Sequence, residues 1–107
     1  MRLNVRIMLP IKSNAGEPFS EALLGRYSST FAGICGGAFG VRGEGIWTDP
    51  NSGICYREPM LALDSDAEDR AFLRHDLVSF AKGAAIEFGQ VSIFLRIDGY
   101  VELVPAV

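Results

Sequence analysis

Trp47, Asp49, Tyr56, Arg57 and Glu58 hold the most chemistry in the shortest span of the chain, inside Gly45-Ile46-Trp47-Thr48-Asp49-Pro50-Asn51-Ser52-Gly53-Ile54-Cys55-Tyr56-Arg57-Glu58-Pro59. Two aromatic rings can stack a base, a guanidinium can hold a phosphate, and Glu58 beside Glu44 would form a carboxylate pair with one acid raised in pKa. Each of these residues also has ordinary structural work. Asp49 can close a turn, Trp47 can pack the core, and Arg57 can form a cross-strand pair with Glu44 or Glu58 worth about 0.2–1 kcal/mol. His75 is the only histidine. It falls opposite the apolar stripe of a helix, with no nucleophile or second ligand at a spacing that would recruit it. No catalytic residue, metal ligand or cofactor is therefore assigned.

Gly33, Gly36, Gly37, Gly40, Gly43 and Gly45 form a cluster that could cradle an anion on backbone N–H groups. The specific tests fail. No Gly-Lys-Ser/Thr follows, as a phosphate loop needs, and no strand-glycine-helix unit carries a dinucleotide fingerprint. Glycines that bend or bulge a strand are the simpler reading. Cys35 and Cys55 have neither zinc spacing nor a disulfide framework around them and read as two buried thiols, a Cys35–Cys55 bridge being the alternative.

The elements that must position these residues follow from periodicity. Leu3, Val5, Ile7, Leu9 and Ile11 alternate with polar neighbours and predict a first strand. Lys12–Glu17 reads as a polar loop. Pro18 suits the first turn of a helix running to about Phe31, with Phe19, Leu23, Tyr27 and Phe31 on its buried stripe. A hairpin follows, from about Phe39 to Thr48 and from about Ile54 to Leu63, turning on Asp49-Pro50-Asn51-Ser52-Gly53. A four-residue loop would set Glu44 opposite Arg57, and a five-residue loop would set it opposite Glu58; the first is the expected register because like charges repel. Pro59 should bring a bulge or break, since it lacks a ladder donor.

Ser65-Asp66-Ala67-Glu68 has the form of a capping box. It predicts a second helix with Leu73, Leu77, Phe80, Ala81, Ala84 and Phe88 inward and Gly89 at its stop. Val91, Ile93, Leu95 and Ile97 alternate as a fourth strand. Asp98-Gly99 then turns the chain into a fifth, from Tyr100 to Val104. The order βαββαβ plus a terminal strand predicts an α+β ferredoxin-like sandwich, a single domain over residues 1–107 with two helices on one face of an antiparallel sheet.

Gly36-Gly37, the hairpin GIWTDPNSGICYREP, Phe88-Gly89-Gln90 and the strand ending in Asp98-Gly99 together resemble a group of small bacterial ferredoxin-like proteins with the pattern G-x-W-x-D-x-x-x-G-x-x-x-R-E. The resemblance covers the chain from about Phe31 onward. It implies fold, not reaction.

Composition narrows the functional classes. The 107 residues carry a net charge of −3, with ten scattered cations, which disfavours nucleic acid as a partner. No signal-peptide core or membrane-length apolar run occurs, so the chain reads as cytoplasmic. Hydrophobic content of 49% and a mean hydropathy of +0.20 point to apolar surface covered by another chain. Such a fold leaves one sheet face bare, carrying Asn4, Arg6, Met8, Ser92, Phe94 and Arg96, a mixture suited to an interface. Arg6 and Arg96 could hold an acidic group there or pair with carboxylates such as Glu58.

The first functional reading is a non-enzymatic homo-oligomeric module that binds a partner protein, with Arg6, Met8, Phe94 and Arg96 at its interface. The alternative is a protein that binds or sequesters a small ligand or nucleotide. Trp47 and Tyr56 would then stack a base and Arg57 or the glycine loop would hold phosphate, as an inhibitor of bacterial defence carried by a phage or mobile element would need. A small dimeric enzyme with Trp47, Asp49, Arg57 and Glu58 in a pocket between sheet and helices is the third.

Overall fold

The computed structural model describes residues 1–107 as a five-stranded antiparallel sheet with two helices on one face. In chain order the elements are β1 (Arg2–Pro10), α1 (Glu21–Cys35), β2 (Phe39–Thr48), β3 (Cys55–Glu68), α2 (Leu73–Glu87), β4 (Ser92–Ile97) and β5 (Tyr100–Pro105). The sheet order is β2-β3-β1-β4-β5. This is the expected ferredoxin-like arrangement, with β5 added at the β4 edge.

Alternation along β1 decides what the sheet buries. Val5, Ile7 and Leu9 are fully enclosed and meet Leu61, Leu63 and Ala67 of β3, Ile93, Leu95 and Ile97 of β4, and Val104 of β5. The helices close this layer with Leu24 and Phe31 from α1 and Leu73, Leu77, Ala81 and Ala84 from α2. Phe19, Tyr27, Phe80 and Phe88 pack between the helices as edge-to-face and tilted ring pairs, with centroids 4.7 to 5.4 Å apart where Phe19 or Tyr27 takes part.

Both helix starts differ from the sequence expectation. α1 begins after Pro18 because Ser20 caps it, its side chain accepting from the Leu23 N–H at 3.1 Å. Pro18 instead bridges to Lys12 in the preceding loop. The helix continues four residues beyond Phe31, because Gly33 tolerates helical geometry and Gly36, at φ 88°, is the first residue to take the left-handed turn.

Ser65-Asp66-Ala67-Glu68 is not a capping box but the end of β3, paired residue for residue with β1 from Arg2 opposite Glu68 to Pro10 opposite Met60. Extending the ladder satisfies more backbone groups than an early helix start would, and it buries Ala67. α2 then starts at Leu73 after Phe72, which holds a left-handed conformation without a side-chain cap. Arg70 braces this start, donating to Asp76 at 3.1 Å and to the Ile34 carbonyl of α1 at 3.0 Å. Gly89, at φ 65°, ends α2 as expected.

The β2–β3 hairpin exists, but in neither expected register. Thr48 stands opposite Cys55, so Glu44 faces Pro59, Gly45 faces Glu58 and Ile46 faces Arg57. The longer loop is fixed by Asp49, whose Oδ1 accepts from Asn51 N–H at 2.8 Å and Ser52 N–H at 3.3 Å, while Gly53 turns at φ 73°. Glu44 still reaches Arg57, diagonally, at 2.8 Å.

Pro59 causes neither bulge nor break. Its carbonyl accepts from Ile11 on the β1 side, so its missing N–H points that way too and the β2 ladder loses nothing. The glycines of β2 introduce no bulge either. Gly45 has a steric reason: a Cβ there would lie 3.2 Å from Met60 Cγ. Cys35 is buried as expected, but Cys55 is exposed at the start of β3, and the two thiols are free. No helix is long and apolar enough to cross a membrane.

Candidate functional site

A cavity of about 350 Å³ opens between α1 and α2. Helical spacing builds it. Arg26 and Thr30 stand one turn apart on α1, and Ser79, Gly83 and Glu87 stand on successive turns of α2, with Tyr27 and Phe80 as its aromatic walls. Gly83 leaves this wall open, since a Cβ there would meet no atom within 4 Å.

Glu87 is the chemical centre of this cleft. Its Oε1 accepts from the Tyr27 hydroxyl at 2.6 Å and its Oε2 from the Arg26 guanidinium at 2.5 Å. Donation from Tyr27, helped by Arg26, holds the carboxyl below the usual glutamate range. Burial, and then the same hydrogen bond, push the Tyr27 phenol up to about 12. A committed anion and a committed phenol exchange no proton near neutrality. The cleft can hold a cationic group against a carboxylate and two rings, with hydroxyls at Thr30 and Ser79 and a guanidinium at its rim.

The residues singled out in the sequence lie elsewhere. Trp47 and Tyr56 face each other across β2 and β3 with rings stacked at 4.5 Å and 19°. Trp47 is 49% exposed and so is not a core residue. Arg57 is engaged by Glu44, Asp49 by its turn, and Glu58 is exposed opposite Gly45. They sit on a two-stranded ribbon beyond the end of β1 rather than in a pocket between sheet and helices. His75 is exposed on α2.

Arg6, Met8, Phe94 and Arg96 do share the helix-free face. Arg6 makes a bidentate pair with Asp64, both contacts at 2.7 Å, so Asp64 and not Glu58 is its partner. That hydrogen bond holds the Asp64 carboxyl below its usual range. A second cavity of about 210 Å³ lies beside them, lined by Arg6, Met8, Val41, Gly43, Glu44, Met60 and Ala62.

Sequence reasoning placed Tyr27 on a buried stripe but overlooked Arg26, Thr30, Ser79 and Glu87. The available signal was a run of small and polar residues at four-residue spacing, Ser79, Gly83 and Glu87, along one edge of an amphipathic helix.

No family model matches the chain, and no curated protein does. Two solved structures share its fold. Both are of a phage SAM lyase. The one in complex with S-methyl-5′-thioadenosine superposes with a TM-score of 0.69 over 95% of this chain and 89% of that one, at 16% identity. The apo form gives 0.65 over 94% and 83%, also at 16% identity. At that identity the likeness shows a shared fold.

Proposed function

We propose that this protein binds an adenosylated sulfur compound of the S-adenosylmethionine class in the cleft between α1 and α2. The single observation that carries the reading is the ionised Glu87 carboxylate set between Arg26 and the Tyr27 hydroxyl in the cleft between the helices. A sulfonium is a fixed cation, and an anion beside aromatic rings is the environment that recognises it. Ser79 and Thr30 supply partners for ribose hydroxyls, and Arg26 can turn to a methionyl carboxylate. The size of the cleft is within the range of small-molecule sites.

The likeness to a phage SAM lyase supports the ligand-binding alternative rather than the interaction module. In this reading the ligand is seated by the helices and not by the Trp47–Tyr56 pair. Withdrawing that methyl donor would act against defence enzymes that depend on it, the role expected of a small anti-defence protein.

Isothermal titration with S-adenosylmethionine and with S-methyl-5′-thioadenosine tests the proposal, alongside chromatography of the first compound for appearance of the second. Binding should weaken about tenfold or more in Glu87→Gln, the loss typical of one charge-assisted contact. Trp47→Ala should bind as the parent does. Absence of heat with both compounds, or binding unchanged in a folded Glu87→Gln, overturns it.

A further inference from the structure

Arg26 and Glu87 are the only charged residues lining the cleft between α1 and α2, and they are bonded to each other. The two are held differently. Glu87 has a second tether, since its Oε1 accepts from the Tyr27 hydroxyl at 2.6 Å while its Oε2 accepts from the Arg26 guanidinium at 2.5 Å. The Arg26 side chain has that one hydrogen-bond partner and is 62% exposed. The carboxylate is therefore the fixed member of the pair and the guanidinium the movable one. Burial pushes the Tyr27 phenol up to about 12, and its hydrogen bond holds Glu87 below the usual glutamate range. No proton shift from Tyr27 neutralises the carboxylate when Arg26 swings away.

Resting on the reading of this cleft as a site for an adenosylated sulfur compound, we infer that Arg26 is a resident counter-ion that makes the cleft select ligands carrying a cation and a carboxylate together. A sulfonium without a carboxylate must take Glu87 Oε2 from Arg26, and the displaced guanidinium, anchored beside Tyr27 in the chain, then opposes it as a like charge. A carboxylate without a sulfonium draws Arg26 off and meets the Glu87 anion left behind. A ligand with both replaces one ion pair by two, its sulfonium on Glu87 and its carboxylate on Arg26. Each ligand charge thus frees the group that the other needs, and the two act cooperatively. S-methyl-5′-thioadenosine carries neither charge, so it leaves the Arg26–Glu87 pair closed and is held by rings and hydroxyls alone.

Isothermal titration with four adenosine derivatives tests this selectivity. They are S-methyl-5′-thioadenosine, its S-methyl sulfonium, the 5′-thioether with a butanoate tail in place of the methyl group, and the S-methyl sulfonium of that thioether. Leaving out the amino group of methionine lets one cation and one anion vary independently. In the parent protein the two charges together should tighten binding by about tenfold or more beyond the product of their separate effects. In Arg26→Ala that excess should vanish. Arg26→Gln removes the charge and keeps most of the length, and it repeats the test should Arg26→Ala fail to fold. Separate effects that simply multiply in the parent, or an excess that survives in a folded Arg26 variant, overturn the inference; the cleft remains the binding site if Glu87→Gln still weakens S-adenosylmethionine. Absence of binding by all four compounds and by S-adenosylmethionine overturns the inference and the reading beneath it together.

Discussion

Tyr27 on α1 donates its hydroxyl to Glu87 on α2 at 2.6 Å, which makes one hydrogen bond both a clamp between helices and the floor of a cleft. The phenol's raised pKa follows from that position. A group raised above its unfolded value, about 10, contributes stability that is complete below that value and is lost as pH rises through the folded value. The folded value is about 12. Absorbance titration near 295 nm should therefore show one late phenolate step, and Tyr27→Phe should remove it.

Asp64 gives the opposite limb. Arg6 holds its carboxyl below the ordinary range, so the stability it contributes is complete above about 3.9 and is lost as pH falls through the depressed folded value. The pair is partly exposed, which limits it to about 1 kcal/mol. Chemical denaturation at several pH values should show Asp64→Asn less stable than the parent at neutrality by that amount, with the difference closing in acid.

Gly36 ends α1 in a conformation that other residues adopt with strain. Gly36→Ala meets open space, so its cost is conformational alone, about 1 kcal/mol. The shift in denaturation midpoint, with ligand binding unchanged, checks this.

Phe31 is fully enclosed between helix and sheet. Phe31→Ala should lose about 3–5 kcal/mol, a large share of the stability of a chain this size. Thermal unfolding followed by circular dichroism would show a protein at or past its midpoint near 37 °C.

Trp47 offers the sharpest separation between the two ligand readings. Its ring lies on Tyr56, both exposed, and Trp47→Ala should lower stability by about 0.5–1.5 kcal/mol for the lost stacking while leaving the helix cleft untouched. Denaturation and titration on the same variant read both quantities.

The fold was legible because its signals are local. The alternation of Val5, Ile7 and Leu9, the four-residue stripe of Leu23, Tyr27 and Phe31, and the Asp98-Gly99 turn each need only near neighbours to be read. Asp98 does hold φ 52° in that turn. What failed was competition between local and distant pairing. Ser65 to Glu68 carry a sound helix-start pattern, yet residues Arg2 to Val5 of β1 claim them for the sheet. The hairpin register failed for a related reason, since the Glu44–Arg57 attraction is satisfied on the diagonal and the turn around Asp49 was free to set the pairing.

The cleft was the least legible part. Arg26 and Glu87 meet across 61 positions, and nothing in either helix alone marks the other.

β1 precedes both of its neighbours in the chain and lies in the middle of the sheet, with β3 on one flank and β4 on the other. A ribosome must therefore make the chain as far as β4, at Ser92–Ile97, before β1 finds both neighbours. Cut at the link after Glu68, the chain would yield two pieces, the first with one flank of β1 bare and the second a lone helix and hairpin. Mixed together, the pieces have each other's missing flank, so the molecule lends itself to a split reporter whose signal appears only on reunion.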